Sequence, residues 1–386
     1  MPLPDALLRE DQLGDVEPRY PLDVAFCPSC SLVQILDEVP PEKLFVDNYL
    51  YFSSYSTGLL RHAREHALDL IRTRGLGPDS LVVEVASNDG YLLRNFLEYE
   101  IPVLGIDPAP DQAAAAERVG VPTLREFFGP DVARSLRAEG KQADVIVANN
   151  VMAHTPDLNG FAEGLSILLA DDGVATIENT YVKDLVDRCE FDTIYHEHFC
   201  YFSCTAVDAL MRRHGLSLER IDYFPDLQGG SVRWHVSRRG RPHDSVRNFL
   251  RTEAKEQVDT LAFYDSFGAR VAGIKSALLQ LLNALKAERK TIAAYGAAAK
   301  GSTLANYVGI GPELIDFVVD RNTHKQGLYT PGTHLPICEP GRLLENMPDF
   351  LLLFAWNYAD EIVEQQAEYR DQGGRFIIPV PWPLII

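Results

Sequence analysis

Positive charge is scarce in this chain: 36 Lys and Arg stand against 55 Asp and Glu, a formal balance of −19. Nucleic acid and anionic bilayers are held by a basic face, so that balance argues against nonspecific binding to either. No run of about 20 apolar residues occurs, so no membrane-spanning helix is expected. The stretch Met1–Arg19 lacks both the basic start and the apolar block of a secretory signal. Six cysteines in 386 residues do not make a disulfide framework. These absences predict a reduced, cytoplasmic protein. A complete Gly-x-Gly-x-x-Gly loop is also missing, which weakens the case for a dinucleotide enzyme. What is present is an ordinary enzyme composition, 46% hydrophobic and 24% charged. One core seldom grows past about 250–300 residues, so two or three domains are expected.

Met1 to about Arg19 is polar and acidic and reads as an extended lead-in. The run Leu22–Phe26 then leads into Cys27-Pro28-Ser29-Cys30. A Cys-x-x-Cys knuckle after a strand is half of a tetrahedral zinc site, which needs four soft or imidazole ligands. No third cysteine precedes Cys189, and the first histidine is His62. A turn holding two small thiols is the plainer alternative. The stretch Asp47–Ser56 packs three tyrosines and three serines into ten residues ahead of a helical run, Gly58–Arg74. It suits either a wall over a polar ligand or the packing of a small lobe on a larger domain.

From Leu81 the pattern becomes alternating strands and helices. Buried-type runs at Leu81–Val85, Val103–Ile106, Val121–Leu124, Asp144–Ala148 and Val174–Glu178 are separated by the helical stretches 91–97, 111–119, 131–138 and 158–169. Strands Leu216–Asp222 and Ser231–Ser237 flank a Gln228-Gly229-Gly230 turn. Repeated βα units predict a parallel sheet with helices on both faces. The ligand of such a sheet lies beyond the carboxyl ends of its strands. There the loop Ala86–Gly90 has a single glycine, Gly90, and Asp107 closes the second strand, placed for a ribose diol. With no pyrophosphate cradle, S-adenosylmethionine fits this loop better than a dinucleotide.

The densest chemistry lies in Tyr195-His196-Glu197-His198-Phe199-Cys200-Tyr201-Phe202-Ser203. Imidazole titrates near neutrality and a neighbouring Glu or Tyr can fix its tautomer. On a strand, His196 and His198 would share a face; on a helix they would point apart. A metal pair or a satisfied polar cluster would use the same residues.

The chain's last third reads as a further unit: a long helical connector, Val246–Ala287, then strand Thr291–Tyr295 running into Gly296-Ala297-Ala298-Ala299-Lys300-Gly301. Small residues at a strand-to-helix turn let a helix N-terminus approach an anion, or simply let helix and strand pack closely. Strands Ile315–Val319 and Phe350–Trp356 follow. Tyr295 ends the first of these strands, and Lys300, Arg321 and Lys325 are the cations available to a diphosphate.

Taken in order, Cys27-x-x-Cys30 with Leu32-Val33-Gln34, Tyr49-x-Tyr51, Glu84-Val85-Ala86-Ser87-Asn88-Asp89-Gly90, Asn149-Asn150-Val151 to His154, Tyr195–Phe199 and Ala294–Gly301 resemble the deoxysugar C-methyltransferase family over nearly the whole length. The resemblance implies a small N-terminal lobe with a zinc-binding motif (1–57), a class I methyltransferase domain (58–245) and a C-terminal Rossmann-like α/β domain (246–386). It implies S-adenosylmethionine held by Glu84, Ala86, Ser87, Asn88, Gly90, Asp107 and Asn149. The substrate would be a nucleotide-linked 4-keto-deoxysugar lying between the two large domains, methylated on a carbon beside its keto group. His198 would be the base, with Tyr195, Glu197, His154 and Tyr49 orienting it or contacting the enolate oxygen. His196 would face the substrate and could exchange roles with His198. The family pairs its knuckle with a second Cys-x-x-Cys upstream, and Cys27 and Cys30 here have none. Ala86 replaces a common Gly. A monomer or homodimer is expected. The rivals are an NAD-dependent oxidoreductase using the C-terminal sheet and a noncatalytic binding protein.

Overall fold

The computed structural model describes residues 1–46 and 49–386; Asp47 and Asn48, the first two residues of the Tyr-rich stretch, lie outside the described residues. Strands β1 (Val24–Phe26) and β2 (Val33–Ile35) form an antiparallel hairpin whose turn carries Cys27 and Cys30. After a helix, Thr57–Arg74, capped by the Ser56 hydroxyl and closed by left-handed Gly75, the first large sheet begins. Its strands are β3 (Val82–Val85), β4 (Val103–Ile106), β5 (Thr123–Leu124), β6 (Ala143–Asn149) and β7 (Leu169–Thr180). The short β8 (Cys200–Tyr201) returns to the hairpin and pairs with β2. Strands β9 (Ser217–Phe224) and β10 (Ser231–Ser237) then complete the large sheet, in the order β5-β4-β3-β6-β7-β10-β9. Only β10 and its two neighbours pair antiparallel. The seven expected strands are all present, and this is the class I methyltransferase arrangement.

These strands read as unbroken apolar runs because helices cover both faces. Val82, Val83, Val145, Ile146 and Val147 are fully buried. Each such side chain contributes roughly 1.5–3 kcal/mol relative to exposure. Trp234 of β10 is also fully buried, and its indole N–H donates to the Cys204 sulfur at 3.3 Å.

The second sheet holds β11 (Ile292–Tyr295), β12 (Val318–Val319), β13 (Ile337–Cys338), β14 (Phe350–Leu353), β15 (Arg375–Ile378) and β16 (Leu384–Ile385). Their order is β13-β12-β11-β14-β15-β16, parallel except for the last strand. The expected connector is two helices rather than one. Asp244–Glu256 ends at left-handed Gln257, and Phe267–Ala287 follows a 3-10 turn at Leu261–Phe263. Val246 joins the core of the first sheet, whereas Val271, Ile274, Leu278 and Leu282 join that of the second. The apolar stripe changes partner between them, so the helix breaks. The helix expected over 91–97 is shortened to Arg94–Leu97.

Residues 1–20 are a strap rather than a lead-in. Pro2 bridges Arg19, Leu8 bridges Tyr329, and the Glu17 carboxylate accepts from Gly332 N (2.8 Å) and from His334 Nε2 (2.7 Å). Among the described residues, no helix is long and apolar enough to cross a membrane.

Candidate active site

A cavity of about 560 Å³ opens at the carboxyl ends of β3, β4, β6 and β7 and reaches the start of the helix Ala299–Val308 under the second sheet. Both large domains therefore line it, as does the Tyr-rich segment. Tyr49, Tyr51 and Ser53 form one wall. That wall is fastened by Asn88, whose side-chain oxygen accepts from Ser53 N (2.9 Å) and whose amide donates to the Tyr51 carbonyl (3.2 Å). Gln112 holds the Tyr49 and Tyr51 carbonyls at 2.8 and 3.0 Å. The wall over a ligand and the packing of lobe on domain are the same contact.

On the first sheet's side the cavity is lined by Ala86, Asn88, Asp107, Asn149 and Asn150 with Phe127 and Phe128. Asp107 accepts backbone N–H groups from Asn88 (2.8 Å) and Ala109 (2.9 Å), one on each oxygen, which fixes the carboxylate across the loop. Burial nonetheless pushes its pKa up to about 6. The Asn149 and Asn179 side-chain oxygens are buried at this wall without partners among the described residues. Fixed carboxylate, orphaned acceptors and the aromatic side chains of Phe127 and Phe128 fit an adenosine with a ribose diol and an amino-acid tail. If the Asp107 anion accepts the ribose diol, S-adenosylmethionine affinity should fall about tenfold per pH unit below about 6. Asp107→Asn should abolish that dependence while weakening binding at pH 8; calorimetric titration at stepped pH checks both.

The remaining expected cofactor residues lie behind this wall. Glu84 is fully buried, with both carboxyl oxygens unpartnered among the described residues, and burial pushes its pKa well up. Ser87 fills the space over Gly105, where a Cβ would meet its hydroxyl at 2.3 Å. Gly90 does not face the cavity. With φ +76° it abuts Ala116, Val119 and Val121, whose atoms would stand 3.1–3.2 Å from a side-chain Cβ at this position, so packing alone calls for a glycine here. Ala86 adopts φ +56°, the left-handed conformation that explains why a Gly suits the position.

The opposite wall carries the imidazoles. The segment 195–199 is a turn, neither strand nor helix, closed by His198 N donating to the Tyr195 carbonyl at 2.9 Å. The turn sends the two histidines apart. His198 Nδ1 donates to the Thr193 carbonyl (2.7 Å), and the Tyr195 hydroxyl donates to Nε2 (2.9 Å). A carbonyl can only accept, so the proton sits on Nδ1 and Nε2 carries the lone pair. His154 repeats the logic: its Nδ1 donates to the Glu197 carbonyl at 2.6 Å. The two rings lie 4.8 Å apart, centre to centre. Burial pushes His154 down to about 4, and burial with the neighbouring His154 pushes His198 well below the ordinary imidazole range. Both rings are neutral at pH 7. Tyr49, Tyr195, Glu197, Lys300 and Lys325 line the same cavity.

A single 3-10 turn, Phe191–Thr193, joins this wall to the C-terminal domain. Thr193 holds His198, while Asp192 accepts from the Trp356 indole at 2.6 Å. The Lys300 ammonium sits 4.1 Å above the Trp356 ring, at the rim of the cavity.

Three expected substrate contacts are corrected. His196 is fully buried away from the cavity, with Nε2 against the Pro21 carbonyl (2.9 Å) and the ring against Tyr20. It anchors the N-terminal lobe and cannot exchange roles with His198. Tyr295 packs on the far face of the second sheet with Phe317, Val319 and Leu351. Arg321 is largely exposed, 3.8 Å from Glu361, and does not line the cavity. Gly296 and Gly301 serve close packing, since a Cβ would meet Ala355 at 2.7 Å and Phe354 at 2.6 Å. Sequence reasoning missed Asp5, Asn179 and Phe127-Phe128. Only the last carried a signal, two adjacent aromatic rings just past a strand's carboxyl end.

Cys27 and Cys30 share one turn, in which Cys27 N donates to the Leu32 carbonyl (2.8 Å). Among the described residues no group of three or more His, Cys, Asp or Glu is placed to hold a metal. Two thiols are half of a zinc ligand set, so the residues present do not fit a tetrahedral structural ion.

Comparison with known proteins gives this geometry its context. The family described as "Methyltransferase domain" matches residues 59–221, "C-methyltransferase C-terminal domain" matches 226–381, and "Putative zinc binding domain" matches 1–45. Among solved structures, magnesium protoporphyrin IX methyltransferase from Synechocystis PCC 6803 is 13% identical, covering 47% of this chain and 84% of that one at a TM-score of 0.38. A SAM-dependent methyltransferase from Anabaena variabilis ATCC 29413 is 16% identical, with coverages of 46% and 84% and a TM-score of 0.36. The C-methyltransferase NovU of Streptomyces niveus is 34% identical over 388 residues, spanning 100% of this chain and 92% of that protein. By that full-length identity, this chain belongs to the C-methyltransferase family.

Proposed function

We propose that this S-adenosylmethionine-dependent C-methyltransferase acts on the carbon next to the keto group of a nucleotide-linked 4-keto-deoxysugar, with His198 as the base. One observation carries the reading: a neutral imidazole with its tautomer fixed by Thr193 lines a cavity shared by the Asp107 loop and the C-terminal domain. A C–H beside a carbonyl is acidic enough for such a base. His198 Nε2 takes that proton as the Tyr195 hydroxyl turns from Nε2 to the carbonyl oxygen, where a donor stabilises the developing charge. The electron pair of the broken C–H bond becomes the enolate, which forms the new C–C bond. S-adenosylmethionine, when bound, would supply the electrophilic methyl, its sulfonium becoming the neutral thioether of S-adenosylhomocysteine. The protein's further contribution is to hold both partners in line and to exclude water, with Tyr49 and Tyr51 as the covering wall. Lys300, which lines the cavity beside the Trp356 ring, would meet the diphosphate.

A second reading has its own support: the His154 ring lines the same cavity and its Nε2 has no partner among the described residues, so His154 is an alternative base. Incubating the enzyme with a dTDP-4-keto-deoxysugar in deuterium oxide, with S-adenosylhomocysteine in place of the methyl donor, separates the steps. Wild-type enzyme should exchange one sugar hydrogen, and with the methyl donor the sugar should gain about 14 Da, the mass a methyl adds in place of a hydrogen. His154→Gln should keep the exchange and His198→Gln should lose it; the reverse pattern transfers the role to His154. A sugar that gains no methyl rejects the substrate class.

A further inference from the structure

The strap formed by residues 1–20 brings a carboxylate into the cavity that no feature of the methyltransferase fold requires. Asp5 lines the cavity beside Glu197 and Lys325. Its Oδ1 lies 3.5 Å from Lys325 Nζ, which also donates to the Ala297 carbonyl at 2.8 Å. Three elements far apart in sequence thus meet at one point: the strap, the histidine turn and the loop after β12. Lys325 is only 6% exposed and Glu197 only 4%. The Glu197 carboxyl lines the cavity and has no side-chain hydrogen bond among the described residues, so a buried polar group faces the space that Asp5 borders. Burial and the neighbouring Asp5 push Glu197 well above the ordinary carboxylate range, whereas Lys325 draws it down.

We propose that Asp5 is a specificity-determining residue that accepts a hydrogen bond from a ring hydroxyl of the substrate sugar, with Lys325 holding its carboxylate in place and Glu197 facing it across the cavity. The assignment rests on the sugar-nucleotide reading above. A hydroxyl suits this point because Asp5 already has its cation in Lys325. With Glu197 carrying a proton, the three groups sum to no net charge, and a neutral donor needs no further countercharge. Asp5 Oδ1 faces Lys325, which leaves the acceptor capacity of the second oxygen for the ligand. A plain latch would not need to reach the cavity, because Leu8 and Glu17 already fasten the strap to Tyr329, Gly332 and His334 of the second domain.

The test is equilibrium binding of dTDP-4-keto-6-deoxyglucose and of its 2-deoxy and 3-deoxy counterparts to the full chain saturated with S-adenosylhomocysteine. Asp5→Ala and the same-shape Asp5→Asn should each raise Kd for the fully hydroxylated sugar roughly 10- to 100-fold, the range for a hydrogen bond to a charged acceptor. For one deoxy counterpart, wild type and both variants should bind alike. Affinity for S-adenosylhomocysteine should not change. Glu17→Gln, which loosens the strap away from the cavity, should leave all three sugar affinities within about twofold. An equal penalty on all three sugars, or a Glu17→Gln loss as large as that of Asp5→Asn, would reduce Asp5 to a fastening and overturn the assignment. Wild type that binds none of the sugars rejects the substrate class itself, whereas variants that bind like wild type reject only Asp5.

Discussion

His198→Gln is expected to lower kcat by roughly 10²- to 10⁴-fold, the usual contribution of a positioned base, with S-adenosylmethionine binding unchanged. Glutamine is chosen because its amide can still donate to the Thr193 carbonyl and its oxygen can still accept from Tyr195, so both partners of the ring stay satisfied. What it lacks is a nitrogen that can take a proton. Tyr195→Phe should cost less, since in the proposed mechanism it removes the enolate contact and leaves the base. The acid limb of kcat in the wild type should fall below the ordinary imidazole range near 6.5, because burial favours the neutral ring that acts as base. As pH falls, that form is kept until well under the usual value and only then lost. Stopped-flow and steady-state rates of the Gln variant decide the matter, and turnover within threefold of wild type would remove His198 from the mechanism.

Arg233→Met should destabilise the protein by about 3–5 kcal/mol, the cost of leaving one partner of a buried ion pair without the other. Arg233 of β10 meets Glu178 of β7 at 2.6 Å, with side-chain exposures of 6% and 0%. His62, from the helix Thr57–Arg74, completes the group at 2.9 Å from Glu178. Burial alone would raise the Glu178 pKa, but Arg233 and His62 more than offset it and hold the carboxylate below its ordinary range. The backbone of Glu178 also accepts from Asn150 N at 2.6 Å, next to the cofactor wall. Melting should drop by roughly 6–20 °C for a protein with domains of this size. The double variant Arg233→Met, Glu178→Gln should recover part of that loss, since no bare charge then remains in the core. A single variant that melts within 2 °C of wild type would show that the ion pair does not hold β10 against β7.

Much of the scaffold was legible because it obeys a short-range rule. A strand covered on both faces must be apolar throughout, and β3, β4, β6, β11 and β14 announced themselves as such runs. The site was legible in part. Tyr195, Glu197 and His198 stood out as a dense cluster, the family resemblance implied roles for them and for His154 and Tyr49, and all five line one cavity. His196 was not separable from His198 in the sequence. Only the turn at 195–199 sends one ring to Pro21 and the other to Thr193, and turn geometry follows no periodicity. Gly90 and Gly296 were glycines of the expected kind, yet what each must avoid is a neighbouring side chain, which no local pattern encodes.

From the residues alone come the two α/β sheets, the acidic surface and the identity of most groups able to move a proton. The tertiary structure decided which of those groups meet. Asp5 and Lys325 are 320 positions apart and touch because the strap crosses the second domain. Distances along a chain constrain contacts weakly beyond a few residues, since closing a long loop costs little more than closing a short one. A cavity between two domains is assembled from such contacts, and only the packed fold specifies them.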